Sequence, residues 1–295
     1  MIWYLRKEGK ELEYEATRVL EEALKLNVPI KIVHPSHIDI LVNRSDRKSI
    51  RVDSQIVNLP SLVLPRTGSG TDYYSLSVLR HLERLNVPIV NSPWAIEASM
   101  DKFYSMQILA QHNLPIPRTM LVRFPVDADL VEKQIGYPCV IKVLSGSYGK
   151  GVHLVQNKEG LVELMEFVSS LNTTINILIQ EYISSKPGKD LRVIVIGGKP
   201  VGAMLRESQD GSFKANITRG GLGSSFEMNE EIHYLAVETA KVLGLDIAGV
   251  DLLFDKEGYK ICEANSAPGF EGFERACQIN LAKEIVQYCS FRSIK

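Results

Sequence analysis

The sequence has four cysteines, Cys139, Cys262, Cys277 and Cys289, and no two of them stand in a CxxC spacing. That argues against a zinc site and a disulfide framework, and points to free thiols buried in a reducing compartment. There is no excess of charge: 34 Lys and Arg face 35 Asp and Glu, for a net charge of −1. No basic surplus advertises a nucleic-acid or acidic-membrane partner. No apolar run approaches membrane-spanning length, and the first residues, Met1-Ile-Trp-Tyr-Leu-Arg-Lys7, turn charged too soon for a signal peptide. A cytoplasmic location without membrane attachment is the expectation. Repeats and low-complexity segments are also missing. So are two familiar phosphate loops. Walker A needs Ser or Thr after its lysine, and Lys150 is followed by Gly151. The dinucleotide fingerprint needs a glycine turn after the first strand, and the glycine loop here lies mid-chain. No Ser/His/Asp or Cys/His arrangement offers a nucleophile.

What is present is an ordinary globular composition, 45% hydrophobic and 23% charged over 295 residues. That length accommodates one large domain or two to three smaller ones. Residues 1–92 alternate strand and helix, with strands at 2–5, 30–33, 62–64 and 89–90, helices over 11–26 and 72–86, and a hairpin insert near 50–58. This predicts a small α/β domain with a parallel sheet. Residues 93–187 predict an α+β unit: helix over 94–112 with a break near Asp101, strands near 118–122, 138–144, 152–156 and 176–183, and helices over 127–135 and 158–171. Residues 188–295 predict a second α+β unit. It has a hairpin across Gly197-Gly198-Lys199, a polar loop over 216–225, a helix over 229–243, a hairpin over 249–265 and a closing helix over 278–291.

The last of those hairpins carries three hard oxygen donors, Asp251, Glu263 and Asn265. Glu263 and Asn265 are two apart, so on a strand they share a face. A turn spanning 255–258 would set Asp251 nearly opposite Glu263. Two carboxylates and an amide oxygen suit Mg²⁺, which completes its shell with water and phosphate. Val250, Leu252, Leu253, Ile261 and Cys262 make the hairpin largely buried, and buried acids need a partner or a metal. Upstream, Gly146, Gly149 and Gly151 fall within six residues between two apolar strands, which lets backbone approach a phosphate. Taken alone, such a loop is equally a flexible hairpin turn. Lys142 sits among β-branched apolar residues just before it; it could cap a sheet edge, where lysine is common, but a charge in a central apolar strand needs a partner, and a nucleotide phosphate is a natural one. Gln180-Glu181-Tyr182-Ile183 ends an apolar strand in a polar–aromatic step that could meet an adenine edge, or be an ordinary strand end. Arg206, Lys214, Asn216 and Arg219 cluster on a strand and the loop after it. They suit charge developing in phosphoryl transfer, or make a solvated loop.

Taken in order, these segments resemble the ATP-grasp ligases, and within that superfamily the RimK-type amino-acid ligases. Glu263-Ala-Asn-Ser-Ala-Pro-Gly-Phe-Glu-Gly-Phe-Glu274 is similar to that branch's EVNASPGLEGIE run. Phe213-Lys-Ala-Asn-Ile-Thr-Arg-Gly-Gly221 resembles its FRSNLHRGG run, and Asp101-Lys-Phe-Tyr-Ser-Met-Gln-Ile-Leu-Ala110 its DKLRSMQLLA segment. The likeness spans about residues 60–290. It implies an α/β plus α+β protein, an ATP-grasp fold: a Rossmann-like pre-ATP-grasp domain followed by two α+β lobes that clamp ATP. Lys102 and Lys142 would contact phosphates and the 145–151 loop would close over them. Glu181, Tyr182 and Ile183 would meet adenine, and Asp190 the ribose. Asp251, Glu263 and Asn265 would hold two Mg²⁺ ions, with Mn²⁺ as a substitute. Arg206 would steady the transferred phosphoryl. Lys214 stands where the compared run has arginine, which keeps the charge and loses the planar fork. Arg66, Arg80 and Arg219 are carboxylate grips by type and placement. The implied activity is amide formation through an acyl phosphate, joining an amino acid, expected to be glutamate, to a carboxylate on a protein tail, peptide or metabolite. A dimer or tetramer is expected. A kinase that stops at phosphoryl transfer, or a non-catalytic ATP sensor, would carry many of the same residues.

Overall fold

The computed structural model describes residues 1–9, 11–42, 49–143, 151–171, 174–183, 185–209 and 221–294. The chain opens with β1 (Ile2–Leu5), α1 (Tyr14–Lys25) and β2 (Ile30–Val33). A small antiparallel sheet follows, of β3 (Ile38–Ile40), β4 (Ile50–Val52) and β5 (Gln55–Ile56), and then β6 (Leu62–Pro65) and α2 (Tyr73–Arg84). β1 lies between β2 and β6 and runs parallel to both. All four of its residues are buried, as the unbroken apolar run of a strand covered on both faces requires. Alternate residues serve two cores. Ile2 and Tyr4 pack with α1, while Trp3 and Leu5 pack with α2 and the small sheet. The expected hairpin near 50–58 is the β4–β5 pair. Its turn residues Asp53 and Ser54 have φ of 49° and 64°, the twist a two-residue hairpin favours. β3 escaped the sequence reading because three residues are too few to show a period. Ile89–Val90, expected as a strand, contributes a single parallel bridge from Ile89 to Val63.

Next come α3 (Pro93–Met100) and α4 (Lys102–Gln111). The break falls at Asp101, whose carboxylate accepts the backbone N–H of Phe103 and Tyr104, each at 3.0 Å, and so caps α4. β7 (Thr119–Val122), α5 (Ala128–Gln134), β8 (Cys139–Val143), β9 (Val152–Val155), α6 (Lys158–Leu171) and β10 (Ile177–Glu181) then form an antiparallel sheet in the order β7-β10-β8-β9. Its core is its own: Val131, Ile141, Leu161 and Ile179 close it under α5 and α6.

The last sheet runs β13-β12-β11-β14-β15. Its strands are β11 (Lys189–Ile196), β12 (Lys199–Glu207), β13 (Leu222–Phe226), β14 (Ile247–Asp255) and β15 (Gly258–Asn265). Its helices are α7 (Glu230–Val242), α8 (Glu271–Cys277) and α9 (Leu281–Arg292). Two elements differ from expectation. The end of the polar loop is the edge strand β13, whose Leu-Gly-Ser-Ser-Phe sequence has no apolar alternation because most of it faces solvent. The closing helix expected over 278–291 is α9, and α8 precedes it as a helix the sequence reading did not contain; Gln278 separates the two with a left-handed φ of 56°, and Asn280 starts α9 by accepting from Lys283 N at 3.0 Å. One face of this sheet is covered by α3, α4 and α7, through Ala98, Leu109, Leu235 and Val250. On the other face Ile194, Ile196, Met204 and Ile247 share a core with Ile2, Tyr4, Phe270 and Val286. The parallel and five-stranded sheets are therefore packed together through α1, α8 and α9.

Gly249 shows how close that packing is. A Cβ added there would lie 2.7 Å from Pro268 Cβ. Gly249→Ala is expected to cost about 1–3 kcal/mol of stability through overpacking. An unchanged urea midpoint in that variant would contradict the close approach.

Candidate active site

β14 and β15 turn through Lys256-Glu257, and Asp251 pairs directly with Glu263 across the ladder, as Gly249 does with Asn265. The turn closes on Gly258 at φ 113°, where an added Cβ would run into the Glu231 carboxylate. Between Asp251 and Leu252 the register slips, because Leu252 pairs with Ile261 and leaves Cys262 as the extra residue of a bulge. The expected juxtaposition of the two acids is therefore present.

Asp251 is only 2% exposed, and its oxygens are taken. Arg192, its register partner on β11, donates from Nε to Oδ1 at 2.8 Å and from Nη2 to Oδ2 at 2.7 Å. Arg206, on β12, reaches Asp251 Oδ2 from Nη2 at 2.8 Å. It also donates to Asp190, from Nε to Oδ1 at 2.6 Å and from Nη2 to Oδ2 at 2.8 Å. Two acids and two guanidinium groups thus alternate across three strands. Burial pushes the Asp251 carboxyl up, but the charges of Arg192 and Arg206 outweigh it and hold the group at about 2. Asp190 goes the other way: burial raises it, and it shares Arg206 with Asp251.

This geometry bears on three of the expected roles. Arg206, only 3% exposed and fully committed to carboxylates, is not placed to steady a transferred phosphoryl. Asp190, with both oxygens accepting from Arg206, is not placed for a ribose hydroxyl. Asp251 is neutralised by two arginines before any metal arrives. Arg192, which the sequence reading gave no role, is the residue it missed. Its signal is its position two residues after Asp190, on the same face of one strand.

Glu263 and Asn265 are half-buried, and Asn265 Nδ2 lies 3.5 Å from Glu263 Oε1. No ion pair to Glu263 forms among the described residues. A carboxylate beside an amide, with no cationic partner among the described residues, fits a hard divalent ion that takes its remaining oxygens from phosphate and water. Among the described residues no three His, Cys, Asp or Glu side chains converge as a metal cluster.

The four-stranded sheet faces β15. Lys142 on β8 brings Nζ to 4.0 Å from Cys262 Sγ. Burial pushes the Cys262 thiol up to about 11, so it stays protonated at neutral pH. Glu181, at the end of β10, pairs with Lys260 of β15 and accepts from Arg118 Nε at 2.8 Å. Burial would raise its carboxyl, but these two cations outweigh that and lower it. Tyr182 and Ile183 follow β10 directly and are half-buried. Lys102 opens α4, and no hydrogen bond or ion pair joins it to the other expected site residues among those described. Gly151 precedes β9 with φ 73°. Gly146, Gly149, Lys214, Asn216 and Arg219 lie outside the described residues. Arg80 pairs with Glu97 on α3, a partner that accounts for it without a substrate. Arg66 donates from Nη2 to Pro268 O at 2.6 Å, in the loop that follows Asn265. The cysteines are all free, with Cys139 and Cys289 buried and Cys262 and Cys277 half-buried.

Two facing sheets, a carboxylate pair on one and a lysine and a glutamate on the other, define an ATP-grasp enzyme of the ligase class. The chain belongs to the RimK-like ATP-grasp family. Residues 99–289 match the model of the RimK-like ATP-grasp domain, and residues 4–96 match that of the RimK pre-ATP-grasp domain. It is 37% identical over 277 residues to a Legionella pneumophila protein named as a probable alpha-L-glutamate ligase, covering 93% of this chain and 91% of that one. A Shewanella frigidimarina protein named as probable alpha-L-glutamate ligase 1 is 37% identical over 276 residues, with the same coverage. Among solved structures, the ATP-grasp ligase PsnB complexed with a variant of its minimal precursor, Mg and ADP superposes with a TM-score of 0.78. It is 19% identical and covers 99% of this chain and 98% of its own. D-alanine–D-alanine ligase from Bacillus anthracis gives a TM-score of 0.66 at 17% identity, covering 100% of this chain and 97% of its own.

Proposed function

We propose that the protein joins glutamate, or a similar amino acid, to a carboxylate of a peptide, protein tail or metabolite, using ATP and Mg²⁺. The observation that carries this reading is the register pairing of Asp251 with Glu263 across from Lys142 and Glu181. Glutamate comes from the names of the two relatives, and a peptide acceptor from the complex formed by PsnB.

A carboxylate is a poor electrophile at neutral pH. Phosphoryl transfer from ATP makes it an acyl phosphate with a good leaving group, and the amine then attacks through a tetrahedral intermediate and expels phosphate. Lys142 neutralises phosphate charge from one side of the cleft. Glu263 and Asn265 would hold Mg²⁺ on the other side, and that ion when bound would supply Lewis-acid stabilisation to the phosphoryl. Arg192 and Arg206 fix Asp251 beside Glu263 and keep the floor of the site near neutrality. Glu181 with the 182–183 backbone faces the adenine. Closure of residues 93–187 over 188–295, with residues 1–92 as a base, excludes the water that would hydrolyse the acyl phosphate. We place the enzyme in the cytoplasm as a dimer or tetramer. Free thiols suit a reducing compartment, and no helix among the described residues is long and apolar enough to cross a membrane.

The test is ADP release from a matrix of amino acids and candidate carboxylic acids, with mass spectrometry of each active pair. The expected product is an amide whose formation requires the amine. Phosphorylated acid without amide would make the protein a kinase, and silence across the matrix would favour an ATP sensor.

A further inference from the structure

A cavity of about 190 Å³, with none of the residues assigned to ATP or metal in its wall, opens at the C-terminal ends of β1 and β6, lined by Arg6, Lys7, Glu8, Glu13, Arg66 and Thr67. Its place in the fold is informative. The sheet runs β2-β1-β6, with α1 leaving β1 on the Tyr4 face and the β3–β5 sheet returning on the Trp3 face. The β1/β6 boundary is therefore the topological switch point, where loops diverge and open a crevice beyond the strand ends. Arg6 and Lys7 follow β1, and Arg66 and Thr67 follow β6.

The crevice is built for an anion. Arg6 is 8% exposed and is held by Glu13, with Nη2 2.6 Å from Oε2, and by Glu11 O at 3.0 Å. Its Nε is buried with no hydrogen-bond partner, as is Nη1 of Arg66. Arg66 is itself clamped, with its guanidinium 5.7 Å from the Phe270 ring centroid and Nη2 on Pro268 O. Lys7 lies across Gly70, where an added Cβ would come within 3.0 Å of its Cε. Three cations and two acids line the crevice; Glu13 is spent on Arg6, Glu8 lies 3.4 Å from His37 Nε2, and Lys7 lies 4.0 Å from Asp72 Oδ2. Buried guanidinium N–H groups without partners are costly, and a carboxylate satisfies them in the geometry arginine favours. The volume is below the roughly 300 Å³ of small drug-like pockets, so a nucleotide does not fit and an amino-acid-sized acid does. Glu8 and Glu13 on the rim disfavour a doubly charged phosphate. The Arg66–Pro268 bond joins the crevice to the loop that follows Asn265.

We infer that this switch-point crevice holds a carboxylate of one ligation substrate, other than the carboxylate that is activated. The choice of ligand rests on the ligase reading. The test is calorimetric titration of the full chain, without nucleotide, with two probes. L-glutamate stands for the amine partner, and N-acetyl-L-glutamate, whose amine is blocked, for the acid partner. Lys7→Gln and Lys7→Glu are the variants, because the Lys7 side chain is 53% exposed and its replacement leaves the core untouched. At least one probe is expected to bind at millimolar concentrations, about tenfold more weakly in Lys7→Gln and undetectably in Lys7→Glu, with melting temperatures unchanged. The probe whose binding depends on Lys7 identifies the substrate held there, and dependence of both marks a general carboxylate site. Failure of both probes to bind, or binding indifferent to Lys7, overturns the inference. Because no ATP is present, loss of the ligase reading would show as absent amide product with binding intact, and loss of this inference as the reverse.

Discussion

Glu263→Gln is expected to lower ADP formation by roughly a thousandfold or more, because in the proposed mechanism a hard divalent ion would lose a charged ligand and the phosphoryl its Lewis acid. The substitution keeps the shape of the side chain and removes only its charge. Since no ion pair to Glu263 forms among the described residues, that loss leaves no buried cation unmatched, and the melting temperature should stay at the wild-type value. Asp251→Asn is the contrasting case. Asp251 neutralises Arg192 and Arg206, so its removal should cost both activity and stability. The pair of variants separates a metal ligand from a structural acid. Steady-state turnover and thermal melting of the same preparations make the measurement, and normal turnover in Glu263→Gln would refute the metal assignment.

The hairpin that carries these acids was legible in the sequence because each of its cues was local. Glu263 and Asn265 at a spacing of two fix a shared face, and Gly258 fixes the turn, which places Asp251 near Glu263; the bulge at Cys262 is what makes the two direct partners. The bulge at Cys262 was not legible, since nothing in Ile261-Cys-Glu263 announces an extra residue. The ion network was legible in its members and not in its wiring. Asp190, Arg206 and Asp251 could each be picked out by residue type, but which guanidinium meets which carboxylate depends on the pairing of β11 with both β12 and β14, a long-range fact. Arg192 was passed over for the same reason: its partner is 59 residues away. The switch-point crevice was beyond reach too. Arg6 and Arg66 are separated by α1, β2 and the small sheet, and only the parallel order β2-β1-β6 brings them side by side. α8 had no counterpart in the sequence reading, since Gly269 and Gly272 obscure its helical pattern, although Phe273 is fully buried and holds the helix in place. Local periodicity therefore gave the elements, and tertiary pairing decided which of their charges meet.

That wiring makes Arg206→Met the substitution with the largest expected structural cost. The side chain is 3% exposed and holds Asp190 and Asp251 together. Methionine fills much of the volume but leaves Asp190 buried with its partner gone and Asp251 with Arg192 alone. Removing one member of a buried ionic network costs about 3–5 kcal/mol, mostly as the penalty of the stranded charge. For a chain of this size that is a fall of about 6–15 °C in melting temperature. The pH dependence has a definite sign. In the wild type the Asp251 carboxyl is held at about 2, below its unfolded value, so its contribution is complete above roughly pH 4 and is lost as pH falls through 2. Without Arg206 that value rises, and the loss of stability begins at higher pH. Adding Asp190→Asn to Arg206→Met removes the stranded charge and should return part of the lost stability, a coupling that a double-mutant cycle in urea measures directly. If Arg206→Met melts with the wild type, or if Asp190→Asn brings no recovery, the guanidinium does not carry the charge balance of this sheet.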